Sequence, residues 1–214
     1  MNVNIRIPTT LNEITLGQYQ EYAKLQELSE TDLQLKTIEI FCNVPEVVVR
    51  NMKATDIVEI CGIINNMFDT KHQLISMFKM NGVEYGFIPS LEDMSFGEYV
   101  DLDTFIGDND NLHRAVNVLY RPIEHRKGNR YTIKDYEPNT SERAKDMPLD
   151  AVLGAVVFFY NLGKDLSLVM LNSLDKKNEQ TLAEYLTSQP NGGGTIQSMD
   201  YLTEILQNLN ISLN

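Results

Sequence analysis

Apolar positions recur at helical spacing through most of this chain. Val3, Ile5 and Ile7 alternate with Asn4 and Arg6, so the first residues predict a short extended arm that Pro8 ends. Thr15 precedes a helical run in which Leu16, Tyr19 and Ala23 give i, i+3 and i+7 spacing, with Leu25 following. Asp32 is placed to cap a second helix, with Leu33, Leu35, Ile38, Ile40 and Phe41 on its apolar side, and Pro45 stops it. Residues 46–52 read as one further turn. A third long helix opens at Thr55 or Asp56, with Ile57, Ile60, Ile64, Met67 and Phe68 in register.

The period changes near residue 77. Asn81-Gly82 lies between apolar-rich flanks, and both residues accept positive φ, so a β-hairpin is predicted at about 77–90. Helices resume from Ser95 to about Phe105, pause at residues 107–111, and continue from Leu112 until Pro122 breaks the pattern. Residues 123–146 read as a polar loop. Met147–Tyr160 is helical, a longer helix is expected from Asp165 to Leu186, and residues 189–194 form a Gly-rich linker. A last amphipathic helix spans about Met199 to Leu209, with Ser198 as a plausible N-cap.

The order of these signals repeats. Leu16-Gly17-Gln18-Tyr19 recurs as Phe96-Gly97-Glu98-Tyr99, the helix ending at Pro45 recurs as the one ending at Pro122, and residues 52–58 recur loosely as 147–152. A glycine inside a helix costs about 1 kcal/mol against alanine. Its recurrence in one register therefore suggests close backbone approach between packed helices. The expected fold is mainly α. Two similar three-helix units, about 11–76 and 90–166, pack around a central β-hairpin in a domain of residues 1–188. A C-terminal amphipathic helix at 195–214 follows on the linker.

Charge narrows the function. The chain carries 18 basic and 30 acidic residues, a net charge of −12, which disfavours nucleic acid and anionic membrane surfaces. No segment of about 18 apolar residues is present to span a membrane. Nor is there an apolar stretch of signal-peptide character near the N-terminus. Cys42 and Cys61 sit in apolar helical patterns and read as reduced core residues of a soluble protein in a reducing compartment. Asp101, Asp103, Asp108 and Asp110, with Asn109, Asn111 and His113, form the first candidate metal cluster. They fail the calcium-loop spacing and read better as a solvated turn. His72, His113 and His125 form no paired motif, no nucleophile elbow occurs, and Gly192-Gly193-Gly194 lacks the lysine of a phosphate loop. No enzymatic activity, cofactor or metal is expected.

Two features point to docking. The segment 121–145 holds seven of the 18 basic residues and only four of the 30 acidic ones. Arg121, Arg126, Lys127, Arg130 and Lys134 are interleaved with Tyr131 and Tyr136, a composition suited to an acidic protein surface such as that of an identical subunit. In the tail, Met199, Leu202, Ile205, Leu206 and Leu209 share one helix face, and a helix this short needs something to bury against. It can fold back on its own domain or enter a neighbour's groove.

Two stretches carry a family resemblance. Residues 85–123, YGFIPSLEDMSFGEYVDLDTFIGDNDNLHRAVNVLYRPI, resemble a segment recurring in uncharacterised proteins of tailed bacteriophages, including the crAss-like group. Residues 143–166, RAKDMPLDAVLGAVVFFYNLGKDL, resemble the segment that follows it there. ITLGQYQEY, LKTIEIFCNVP and ATDIVEICGIINNM in the first half are similar in order to phage tail assembly chaperones. The resemblance implies a structural or assembly protein of the virion, in the neck, tail or baseplate. It would be multi-copy in a ring or on an adaptor, bound to other phage structural proteins and assembled in the host bacterial cytoplasm. The alternatives it leaves are a chaperone absent from the mature particle and a packaged protein ejected into the host. The double length and the tethered tail depart from a simple chaperone and favour a stable subunit.

Overall fold

The computed structural model describes residues 5–25 and 27–173. The predicted linker and tail helix, with Met199, Leu202, Ile205, Leu206 and Leu209, lie outside the described residues.

The chain opens with α1 (Leu16–Ala23), α2 (Glu30–Phe41), the short α3 (Glu46–Val49) and α4 (Ala54–Phe68). Strands β1 (Met77–Met80) and β2 (Val83–Phe87) follow, then α5 (Phe96–Phe105) and α6 (Leu112–Leu119). Next come β3 (Tyr120–Lys127), β4 (Arg130–Ile133), a 3-10 stretch at Pro138–Asp146 and the long α7 (Leu149–Ser173).

The expectation of a mainly helical fold with one central hairpin is corrected by a four-stranded antiparallel sheet in the order β1-β2-β3-β4. The fold is mixed α and β. The first hairpin turns at Asn81 and Gly82, both at positive φ, as a two-residue turn with matching twist requires. A second hairpin occupies nearly half of what reads as a polar loop, and the 3-10 stretch most of the rest. Its turn is Gly128-Asn129, closed by the Lys127–Arg130 pair, with Gly128 at φ 64°. Pro122 sits inside β3, a central strand, where a missing N–H is normally excluded. Its carbonyl accepts from the Lys134 N–H at 3.0 Å, and β4 ends at Ile133, so the missing N–H falls where that ladder stops.

Two further expectations change. No strand forms at residues 5–9, although Ile5 and Ile7 pack on the core and Arg6 faces out to Glu13 at 2.7 Å. The break expected between Tyr160 and Asp165 is absent, and α7 runs through it.

The two halves are not equivalent units. Both tetrads begin a helix with a reciprocal capping box, Thr15 with Gln18 and Ser95 with Glu98. Close backbone approach holds for only one glycine. A Cβ on Gly17 would lie 3.3 Å from the Lys145 carbonyl oxygen, whereas one on Gly97 would meet nothing within 4 Å. Leu16 and Tyr19 are fully buried, but Phe96 and Tyr99 are exposed. The recurring signature is a cap, with the two helices presenting opposite sides to the core.

That core is continuous across helices and sheet. Leu16, Ile38, Ile64, Leu112, Leu119, Leu149 and Leu153 are inaccessible to solvent. Phe87 and Tyr120 join the sheet to it with an edge-to-face ring contact at 5.3 Å, and Phe87 meets Phe158 of α7 at 5.7 Å. Cys42 and Cys61 are unpaired and buried, and burial raises both thiols, Cys42 to about 11. They are core residues with little nucleophilic character.

Candidate docking surface

The basic segment and α5 meet at one place. Arg121 of β3 donates from Nη1 to Glu98 Oε1 at 2.7 Å, and both side chains are about nine-tenths buried, at 11% and 9% exposed. The Glu98 carboxylate also accepts from the Ser95 backbone N–H at 2.7 Å through the capping box. Burial works to raise the Glu98 carboxyl, but the Ser95 hydrogen bonds and the Arg121 guanidinium outweigh it and hold the group below the usual carboxylate range. Tyr136 donates to Asp101 Oδ2 at 2.8 Å, and burial followed by that carboxylate pushes its hydroxyl well above the ordinary phenol range.

These contacts line an open cleft of about 600 Å³ between the β2–α5 connection and residues 131–136. Asp93, Glu98, Arg121, Lys134, Asp135 and Tyr136 supply its polar lining, with both signs present. Arg121 Nε is buried there and has no protein partner. The balance of charges favours no particular small anion or cation, and suits a polar protein segment.

The structure separates the predicted docking residues by role. Tyr131 is structural. Its ring lies across the sheet against Gly86, where any Cβ would collide with it, and its hydroxyl donates to the carbonyls of Phe87 at 2.8 Å and Ser76 at 3.1 Å. Arg121 and Tyr136 tie the sheet to α5. Arg126, Lys127 and Arg130 stand exposed at the tip of the β3–β4 hairpin, and Lys134 is exposed at its base. Arg126 reaches Glu84 at 3.1 Å, a pair of little energetic weight at this exposure. Lys127, Arg130 and Lys134 have no side-chain partner among the described residues.

Sequence reasoning missed a second patch, on the far side of α5 from the cleft. On α5, Phe96 is 81% exposed, Tyr99 47% and Val100 41%. They sit at i, i+3 and i+4, so they share one face, opposite the buried Glu98 and Leu102. The signal was present as Ser95-x-x-Glu98, which fixes the helix start and therefore which residues flank the cap. It was hidden because α5 carries apolar residues on both sides.

Among the described residues no three His, Cys, Asp or Glu side chains gather to hold a metal ion. Asp108 instead closes its own turn, accepting from the Asp110 N–H at 2.9 Å and the Asn111 side chain at 2.7 Å. His113 is packed in the core. It faces Gln20 through Nδ1 at 3.2 Å and Glu142 through Nε2 at 3.3 Å, and burial, aided by Lys145, outweighs Glu142 and holds the ring below the usual imidazole range. Among the described residues no helix is long and apolar enough to cross a membrane. No protein-family model matches the chain, and no curated protein and no solved structure matches it either.

Proposed function

We propose that this chain is a non-enzymatic virion structural protein of a tailed bacteriophage. It acts in the neck, tail or baseplate, and it works by docking to other structural proteins or to its own copies. The observation that carries the docking reading is the α5 face, where a phenylalanine, a tyrosine and a valine stand in solvent on the side of the helix away from its ion pair with the sheet. Monomeric proteins seldom expose such groups together unless they bind something. The phage setting rests on the resemblance of residues 85–123 and 143–166. That first stretch includes α5, which carries the exposed Phe96, Tyr99 and Val100.

Quantitative mass spectrometry of purified particles tests the reading. A structural subunit is present at a stoichiometry set by ring symmetry, such as about 6 or about 12 copies. Abundance in infected cells with absence from mature particles identifies a tail assembly chaperone, for which an exposed apolar helix face is equally suitable.

A further inference from the structure

We propose that copies of this chain join head to tail, the basic β3–β4 hairpin tip of one copy seating on the exposed α5 face of the next. This deepens the docking reading and rests on it. Charge complementarity names the occupant. Residues 90–111, which include α5, hold seven acidic residues and no Lys or Arg. Glu92 and Asp93, shortly before Phe96 in the chain, are exposed and have no side-chain partner among the described residues. The hairpin tip offers the opposite: Arg126, Lys127 and Arg130 are exposed, and two of the three are uncommitted.

Phe96 and Tyr99 fit the same occupant, because arginine guanidinium groups stack on aromatic faces as well as pairing with carboxylates. The molecule already uses that contact between two half-buried residues, with Arg114 lying 3.7 Å from the centre of the Phe105 ring.

The two patches cannot meet within one copy. Arg121 anchors β3 to the buried side of α5, and Lys127 lies six residues further along the strand, about 20 Å away at ~3.3 Å per residue. The apolar face points away from that anchor. Two distinct patches on one chain make a heterologous contact, which closes into a ring or extends as a filament. Each contact is small and electrostatically steered, so assembly weakens with salt.

Sedimentation velocity of the full chain over a concentration series tests this. Oligomers are expected at about 0.05 M salt, with association at least ~10-fold weaker at about 0.5 M. Lys127→Glu/Arg130→Glu removes the tip, and Phe96→Lys/Val100→Lys removes the face. Each variant alone is expected to be monomeric. Their equimolar mixture should give a heterodimer that grows no further, since each retains the half the other lacks. Phe96→Ser/Val100→Ser repeats the face test without added charge should the lysine variant fail to fold.

A wild-type monomer at all concentrations, variants that assemble like wild type, or a mixture that stays monomeric each overturns the proposal. So does a monomer whose thermal midpoint falls when Phe96 is replaced, because the face is then covered within the same chain, residues 195–214 being the candidate cover. A monomer that is nonetheless found in particles refutes head-to-tail pairing and leaves the docking function standing. Self-assembly of a chain absent from particles does the reverse.

Discussion

Replacing Arg121 with methionine should destabilise the fold by about 2–3 kcal/mol at neutral pH. Breaking a buried ion pair from one side costs about 3–5 kcal/mol, because the remaining charge is left without compensation. Here Glu98 would keep the Ser95 N–H and border an open cleft, which lowers the figure. Glu98→Gln is the complementary change, and α1 shows that it spares the cap, since Gln18 fills the same position of its capping box. The glutamine variant therefore reports the charge and not the helix start. The double variant removes both charges and should be about 2 kcal/mol better than the sum of the single losses.

The pH dependence has a definite sign. The Glu98 carboxyl is lowered in the folded state, so its contribution is complete above the unfolded value of about 4.3 and is lost as pH falls through the folded value. The stability gap between wild type and Glu98→Gln should stay level at neutral pH and narrow below about pH 4. Urea unfolding followed by far-UV circular dichroism measures all four proteins. A loss under about 0.5 kcal/mol for Arg121→Met, or additive single losses, would refute the view that this pair joins the sheet to α5.

Two further expectations follow from local geometry. Gly154→Ala should lower the thermal midpoint markedly despite alanine's helix advantage of about 1 kcal/mol, because its Cβ would run into the Gln73 carbonyl; Gly97→Ala meets nothing and should leave the midpoint unchanged or raised. Thr15→Ala and Ser95→Ala should each cost about 1 kcal/mol in urea unfolding, and equal costs would confirm that the recurring tetrads mark helix starts.

What the sequence made legible was local. Helices α1, α2 and α4 follow from apolar spacing, and the Asn81-Gly82 turn from the tolerance of both residues for positive φ. The second hairpin carried an equivalent signal in Gly128-Asn129, and Tyr131 and Ile133 alternate with Thr132 and Lys134 as a half-buried strand should. Two things hid it. Pro122 argued against a central strand, and the charges of residues 124–130 matched a solvated loop. Both objections are met by tertiary arrangement: the ladder stops beside Pro122, and the charged residues form a tip that projects from the sheet. The site was half legible for the same reason. Composition exposed the basic tip, whereas α5 needed the knowledge of which side faces inward.

That orientation explains why α5 bears an exposed apolar face at all. In α1 the buried side holds Leu16 and Tyr19, so the tetrad's apolar members stabilise the monomer. In α5 the fold instead turns Glu98 inward to meet Arg121, and a helix cannot bury its N3 residue and its flanking N1 and N4 residues to the same depth. With Glu98 turned inward, Phe96 and Tyr99 fall on the outer side of the helix. Fully burying a side chain of this size is worth about 1.5–3 kcal/mol, so the monomer forgoes several kcal/mol across Phe96, Tyr99 and Val100. A micromolar contact needs about 8 kcal/mol. The face supplies a substantial part of that once covered, and the complementary charges of tip and face supply steering and register. The buried Arg121–Glu98 pair thus holds the sheet against α5 and leaves the helix's apolar side in solvent, where the proposed head-to-tail contact would cover it.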